Sequence, residues 1–230
     1  MANFSTHISA SIVSSSVLGT VVLATKIATV PESLLLIVIG ALSGLLPDLD
    51  ADDSTAIGWL FSILGFSLAA CFVLVYPLSS LLGIWLSAAA VYLFTWYIIK
   101  PLFEKITVHR GSLHSVLAVV MFALFAIVIA LILESSLNMA LLAALFVVVG
   151  ALTHLLLDEC YSVDLTNNRI KSSFGTAMKL FDMRYPVATF VQLAIIGSAG
   201  YYLYPKYGQI LTVVANWQEK LRYLTVLPAF

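Results

Sequence analysis

Long apolar runs separated by short polar stretches make up most of this chain. Seven runs approach the roughly 20 residues that an apolar helix needs to cross the hydrocarbon core of a bilayer. They lie at about residues 8–29, 33–46, 56–76, 78–99, 114–133, 137–157 and 186–204, and the second is the shortest. Because backbone N–H and C=O groups must be paired inside lipid, such runs form helices rather than open sheets. The pattern predicts an all-α fold, a polytopic transmembrane helical bundle of about seven membrane helices.

Proline positions support these boundaries. Six prolines fall where a predicted helix begins or ends, and a missing N–H is tolerated there; they are Pro31, Pro47, Pro77, Pro101, Pro186 and Pro205. After the last run, GQILTVVANWQEKLRYLTVL carries apolar and charged residues at helical spacing. This predicts an interfacial amphipathic helix rather than an eighth span. We expect one membrane-embedded domain over 1–230, with the helical bundle in 1–204 and the amphipathic tail in 205–230.

Composition agrees with a membrane protein and removes several alternatives. The chain is 61% hydrophobic and 10% charged, and its mean hydropathy of +1.04 lies far above that of a water-soluble domain. The net charge of -1 comes without a basic run, so no nucleic-acid partner is expected. Two cysteines far apart in sequence do not indicate a disulfide framework. The N-terminus MANFSTHISASIVSSS lacks the basic residues of a cleaved signal peptide, so we expect a retained first helix.

Counting turns assigns the loops to the two sides of the membrane. If residue 7 lies on one side, called side S, pairs of helices return the chain to S near Pro47, Lys100 and Asp158. Side S then holds seven basic residues and the opposite side four: Lys100, Lys105, Arg110, Arg169, Lys171, Lys179 and Arg184 against Lys26, Lys206, Lys220 and Arg222. Lys and Arg are enriched in cytoplasmic loops. The excess predicts that S is cytoplasmic, in a multi-pass protein of the bacterial inner membrane.

The residues able to ligate a metal fall on side S. They comprise all four histidines and three aspartates, each at the S end of a predicted helix: His7, Asp48, Asp50, His109, His114, His154 and Asp158. A single interfacial histidine usually contacts headgroups or backbone, and an aspartate at a helix end usually caps it. Seven ionisable groups at one edge of a membrane bundle are rare enough to indicate a function.

The spacing of two pairs suits metal binding. His154 and Asp158 are four residues apart on a predicted helix, so their side chains project from one face. Asp48 and Asp50 follow Pro47, and an extended segment there would point both carboxylates the same way. Each pair therefore offers two donors to one ion.

The stretch HRGSLHS brings two more histidines to the start of the fifth predicted helix. His109 and His114 are five residues apart across Gly111, which suits a tight turn running into a helix N-terminus. Imidazole and carboxylate donors without cysteine favour Zn²⁺, Mn²⁺ or Fe over Ca²⁺ or Mg²⁺. Seven candidates exceed one tetrahedral site, so two or three divalent ions are expected.

The motifs LPDLD, HRGSLHS and THLLLD, together with the early His7, resemble those of the YdjM family of membrane-bound metal-dependent hydrolases. That family is grouped remotely with zinc-dependent phospholipase C and the S1/P1 nucleases. The resemblance covers about residues 1–165. The second motif usually reads HRGxTHS in the family, and Leu113 replaces the threonine here. The stretch DECYSVDLTNNRIKSSFGTAMKLFD also differs, so substrate specificity is not carried over.

The resemblance implies that the seven residues above are metal ligands and that the reaction is hydrolysis of a phosphoester, most plausibly a membrane lipid or a lipid-linked one. A nearby carboxylate would accept the proton of the attacking water. Asp50 is the first choice for that role and Glu159 the second. Arg110 is interpreted either as a clamp on substrate phosphate or as a snorkelling cation. A divalent metal-ion transporter and a metal-binding membrane scaffold are the alternative functions, and the oligomeric state stays open.

Overall fold

A computed structural model describes residues 3–50, 55–76, 78–106, 111–164, 169–170, 175, 178–222 and 224, with backbone alone at 50, 55, 56, 105, 106, 164, 169 and 170. Nine α-helices lie within these ranges: α1 (Phe4–Ala24), α2 (Val30–Ser43), α3 (Thr55–Val75), α4 (Leu81–Phe94), α5 (Lys100–Ile106), α6 (Val116–Ile132), α7 (Leu137–Cys160), α8 (Pro186–Leu203) and α9 (Tyr207–Arg222). The predicted all-α class is confirmed.

The remaining regular elements are short. Two 3₁₀ helices cover Pro47–Asp50 and Tyr204–Lys206, and a π-helical turn covers Thr95–Ile99. Strands β1 (Val163–Asp164) and β2 (Arg169–Ile170) pair antiparallel. These strands follow α7 directly and do not change the helical architecture.

Five helical stretches among the described residues are long and apolar enough to cross a bilayer: Phe4–Ala24, Ile57–Val75, Leu81–Glu104, Leu137–Cys160 and Pro186–Arg222. Helices α2 and α6 are apolar but shorter. Together these seven stretches match the seven apolar runs of the sequence. The predicted polytopic helical bundle is confirmed.

Two of the predicted helix ends are wrong. Helix α4 continues through the π-helical turn into α5, so the helical stretch passes Pro101 instead of ending before it. A proline inside a helix cannot donate a hydrogen bond to the preceding turn, and the wider π-helical turn immediately before Pro101 accommodates this loss. Pro205 likewise lies inside a helical stretch, in the 3₁₀ turn that joins α8 to α9.

Helices α1, α2 and α7 pack against one another through small residues. A Cβ added to Gly150 of α7 would lie 2.0 Å from the carbonyl oxygen of Gly40 in α2. A Cβ added to Gly44 would lie 1.9 Å from the hydroxyl of Ser11 in α1. No larger residue fits where two membrane helices approach so closely. This three-helix contact fixes the positions of the helix ends on side S.

Helix α9 is anchored at the opposite side of the bundle. The indole N–H of Trp217 donates to Asn138 Oδ1 at 2.7 Å, near the start of α7. Lys220 Nζ donates to the carbonyl oxygen of Lys26 at 2.7 Å, in the turn between α1 and α2. The predicted C-terminal amphipathic helix is therefore confirmed as α9.

Candidate metal centre

Five of the seven sequence-predicted ligands come together at one end of the bundle. His7 lies in the first turn of α1 and Asp48 in the 3₁₀ helix after α2. His114 precedes α6 by two residues, while His154 and Asp158 lie in the last turns of α7. His7, His114, His154 and Asp158 are each at most 1% exposed. Such complete burial of ionisable groups requires partners that satisfy them.

The five residues form two overlapping groups of candidate ligands. One group is His7, His154 and Asp158, and the other is Asp48, His114 and His154; within each group the donor atoms lie within 4.8 Å of one another. His154 belongs to both. The two groups therefore constitute a single cluster, which we call the His/Asp cluster.

The spacing of donor atoms in the His/Asp cluster suits a small divalent ion. Nε2 of His7 lies 3.3 Å from Asp158 Oδ1, and Nε2 of His154 lies 3.4 Å from Asp48 Oδ1. Nε2 of His114 lies 3.7 Å from Asp48 Oδ1. Ligands about 2.0–2.1 Å from Zn²⁺ in a tetrahedron are separated by about 3.4 Å. The first two separations match that geometry, and the third is slightly longer.

The two oxygens of Asp158 face different histidines. Oδ1 is closest to His7, while Oδ2 lies 3.9 Å from Nε2 of both His114 and His154. A carboxylate in this position can contact two neighbouring ions, one through each oxygen. The arrangement therefore suits a centre with more than one ion.

The orientation of His154 is fixed by the backbone of α2. Its Nδ1–H donates to the carbonyl oxygen of Gly44 at 2.6 Å, so Nε2 is the ring nitrogen left to face the cluster. That Nε2 lies 3.4 Å from Asp48 Oδ1. A backbone carbonyl on one ring nitrogen with the other nitrogen turned toward anions is the usual environment of a metal-binding histidine.

The rings of His7 and His154 are stacked, with centroids 3.7 Å apart and planes 12° from parallel. The stack keeps the end of α7 against the start of α1.

The extended segment predicted for Asp48 and Asp50 is wrong. The chain forms a 3₁₀ helix over Pro47–Asp50, because hydrogen bonds between residues three apart continue the end of α2, as in Leu49 N–H to Leu46 O at 3.2 Å. Residues two apart in a 3₁₀ helix project in different directions. The Asp50 side chain lies outside the described residues, so its place as a ligand stays a prediction.

The other predicted functional residues are not part of the described cluster. His109 and Arg110 lie outside the described residues. Glu159 follows Asp158 on α7 but belongs to neither group of candidate ligands among the residues that the structure describes. One of its oxygens accepts a hydrogen bond from the N–H of Gly175. The roles assigned to these three residues remain predictions.

Sequence reasoning missed the small residues that hold the cluster in place. Ser11 is four residues after His7, Gly44 is four before Asp48 and Gly150 is four before His154. Within α1 and α7, Ser11 and Gly150 therefore lie about one turn from a candidate ligand and on the same helix face, whereas a turn and the 3₁₀ helix join Gly44 to Asp48. The repeated four-residue spacing between a small residue and a polar one was the available signal.

A second missed feature is the segment before α8, which contacts the start of α6. Main-chain N–H groups of Val116 and Leu117 donate to the carbonyl oxygens of Lys179 and Leu180 at 2.9 and 3.0 Å. These bonds satisfy donors that a helix N-terminus leaves open. The segment before α8 thus closes over the turn that carries His114.

Asp182 stabilises this segment. Its carboxylate accepts hydrogen bonds from the Arg184 guanidinium at 2.8 and 3.0 Å and from Lys179 Nζ at 2.5 Å. The Arg184 hydrogen bonds outweigh the effect of burial and, with Lys179, hold the pKa of Asp182 well below its ordinary range. The carboxylate is therefore charged at neutral pH.

A buried His/Asp cluster at the ends of a polytopic bundle defines a class of membrane protein, one able to hold a metal ion between its helix ends. The chain belongs to the family of YdjM inner membrane proteins, whose sequence pattern matches residues 1–167. That match includes all five residues of the cluster and ends before α8. No curated protein and no solved structure matches the chain.

Proposed function

We propose that the protein is a membrane-embedded, metal-dependent hydrolase of phosphoesters, with a lipid or a lipid-linked molecule as substrate. The observation that carries the proposal is the His/Asp cluster, in which three imidazoles and two carboxylates meet at distances that suit one divalent ion or an adjacent pair. Zn²⁺ fits the donor set best, and Mn²⁺ and Fe are the alternatives.

The residues divide into holding and supporting roles. His7, Asp48, His114, His154 and Asp158 would hold the ions, with Asp50 and His109 as further ligands. Bound divalent ions supply Lewis-acid polarisation of the phosphoryl group and a lowered pKa for attacking water. Gly44 fixes the His154 ring by accepting its Nδ1–H.

Proton transfer and phosphate binding are assigned to neighbouring residues. Asp50 is the first choice to accept the proton of the attacking water and Glu159 the second, since both are carboxylates next to proposed ligands. Arg110, which precedes the Gly111 turn, would clamp the substrate phosphate through its planar guanidinium.

The depth of the cluster favours hydrolysis over metal transport. His154 lies six residues before the end of α7, which is about 9 Å along the helix axis. A transporter needs its ion site near the bilayer midplane with access from both sides. Ligands from the N-terminal ends of α1 and α6 and the C-terminal ends of α2 and α7 all belong to one edge of the bundle.

The metal claim is tested by elemental analysis of the purified protein. We expect at least one transition-metal ion per chain in the wild type and its loss in His154→Ala and Asp158→Asn. Glu134→Gln, an exposed acidic residue of the α6–α7 turn, is the control and should keep the metal. Wild-type protein free of transition metal would overturn the proposal.

The reaction is tested with a panel of phospholipids, polyprenyl phosphates and nucleotides in detergent. We expect headgroup or phosphate release that stops when a chelator removes the metal. Absence of turnover together with metal uptake into liposomes would favour the transporter, and metal without either activity would favour the scaffold. Reporter fusions after residues 54 and 136 test sidedness, because we place the first in the cytoplasm and the second outside it.

A further inference from the structure

An apolar groove of about 540 Å³ lies beside the turn that carries His114. Its walls come from four parts of the chain, with Phe103 from α5, Leu113 from the turn, Met121 from α6, and Val187, Val191 and Ile195 from α8. A groove of this size and lining is typical of a site for an apolar ligand. It is separate from the His/Asp cluster but shares the turn through Leu113.

One polar side chain in the wall has an unsatisfied acceptor. Gln192 is 4% exposed, and its Nε2 donates to the carbonyl oxygen of Ser112 at 3.1 Å. Its Oε1 is buried and has no hydrogen-bond partner among the described residues. A buried acceptor without a partner costs free energy, so its presence in the wall indicates a ligand that donates a hydrogen bond there.

The polar part of the groove is connected to the proposed metal centre. The carbonyl oxygen of Ser112 accepts from Gln192 and also from the Ser115 hydroxyl at 2.6 Å. Ser115 caps α6 by accepting the Ala118 N–H at 3.2 Å and directly follows His114. A ligand whose polar part contacts Gln192 therefore lies one turn of chain from a proposed metal ligand.

The occupant follows from the surroundings of the groove. Helices α6 and α8 belong to apolar stretches of the membrane bundle, and Val187 and Val191 of the wall are 77% and 49% exposed. In a bilayer such side chains face acyl chains, which are the solvent at that depth. The guanidinium of Arg184, also in the wall, is hydrogen-bonded to Asp182 and marks the polar end of the groove, where the headgroup of a lipid would lie.

We propose that this groove binds one acyl chain of a phospholipid substrate, while Gln192 Oε1 accepts a hydrogen bond from the polar part of that lipid. This inference rests on the proposed hydrolase function. The substrate would then be a membrane phospholipid that enters the groove laterally from the bilayer. The phosphoester would then lie between the groove and the His/Asp cluster.

Photo-cross-linking in phosphatidylglycerol vesicles tests the binding. The probe is phosphatidylglycerol with a diazirine in one acyl chain, and the readout is the labelled peptide. We expect labelling of residues 111–121 and 186–195 that unlabelled phosphatidylglycerol suppresses. Ile195→Trp and Val191→Trp, which fill the groove, should lower it at least fivefold, whereas Leu193→Trp, on α8 but outside the wall, should not. Equal labelling in all three variants would refute the groove as a binding site.

Two further measurements separate this inference from the hydrolase proposal. The His154→Ala variant should lose metal and turnover but keep groove labelling. Ile195→Trp should raise KM for long-chain phosphatidylglycerol at least tenfold and should raise KM for a short-chain, water-soluble analogue much less. If Ile195→Trp changed the KM of neither substrate, the proposed role of the groove would be wrong, while the hydrolase proposal would stand. Groove labelling without any phosphoester turnover would overturn both the hydrolase and the substrate role of the groove.

Discussion

The close contact between α2 and α7 gives the sharpest test of how packing positions the His/Asp cluster. In Gly150→Ala the added Cβ would lie 2.0 Å from the carbonyl oxygen of Gly40, where ordinary contacts begin at 3.4 Å. The obstacle is backbone in the last turn of α2, so no side-chain rotation can relieve it. The two helices must move apart by an amount on the order of 1 Å.

That displacement acts on both stability and metal binding. Overpacking of a tight core contact costs about 1–3 kcal/mol. The hydrogen bond from His154 Nδ1 to Gly44 O, now 2.6 Å, spans the same two helices and would lengthen beyond hydrogen-bonding range. Losing a bond that orients a metal-binding histidine typically weakens metal affinity about 10–100-fold. We therefore expect a lower Tm together with weaker metal binding.

The assay compares Gly150→Ala with Gly197→Ala in the same detergent. Gly197 lies in α8 with nothing within 4 Å of an added Cβ, and alanine is favoured over glycine in a helix by about 1 kcal/mol. Gly197→Ala should keep the wild-type metal content and an equal or higher Tm, whereas Gly150→Ala should lose several degrees and most of its metal. If Gly150→Ala kept both wild-type values, the proposed coupling between helix packing and the cluster would be wrong.

Three further changes test other parts of the fold. Asp182→Asn should lower the Tm at pH 7, because Arg184 loses its anionic acceptor. Since the folded pKa of Asp182 lies below its ordinary 3.8, the difference from wild type should be constant well above that pH and shrink as the pH falls from about 4 toward the folded pKa. Melting from about pH 2 to 8 covers both ranges, and a difference that did not shrink in acid would contradict the ion pair. Trp217→Phe removes the 2.7 Å bond to Asn138, so α9 should become easier to cleave in limited proteolysis; an unchanged cleavage rate would show that this bond does not anchor α9. Glu134→Gly relieves a φ of 58° in the α6–α7 turn and should raise the Tm slightly, by about 1 kcal/mol of stability or less, while a decrease would contradict that reading of the turn.

The helical bundle could be predicted from sequence because its signals are local. Each apolar run predicts one membrane-spanning helix, and because successive helices cross in alternate directions, their order determines which helix ends lie on the same side of the membrane. On this basis the sequence predicts that His7 and Asp158 lie at the same edge of the bundle, although 151 positions separate them. Their side chains lie 3.3 Å apart. The prediction needed no knowledge of how the helices pack.

The errors and omissions arise where local signals are ambiguous or where the cause lies elsewhere in the chain. Pro101 ordinarily ends a helix, but a π-helical turn next to it lets the helix continue. The segment Pro47–Asp50 was expected to be extended because a proline disfavours helix in the residue before it, yet hydrogen bonds from the end of α2 continue into it. The contact between Gly44 and His154 joins positions far apart in sequence, and no local pattern contains it.

The residues that pack α1, α2 and α7 together lie close to the residues proposed to bind metal. Ser11, Gly44 and Gly150 allow the close approach, and each is four residues in sequence from a member of the His/Asp cluster. Substitutions at these small residues should therefore change metal binding without touching a ligand. The groove differs, because α8 and Gln192 lie beyond residue 167, where the match to the YdjM family ends. Under the proposed function, the region shared with the family supplies the hydrolytic centre and part of the groove, and the region beyond it supplies the α8 wall of the groove.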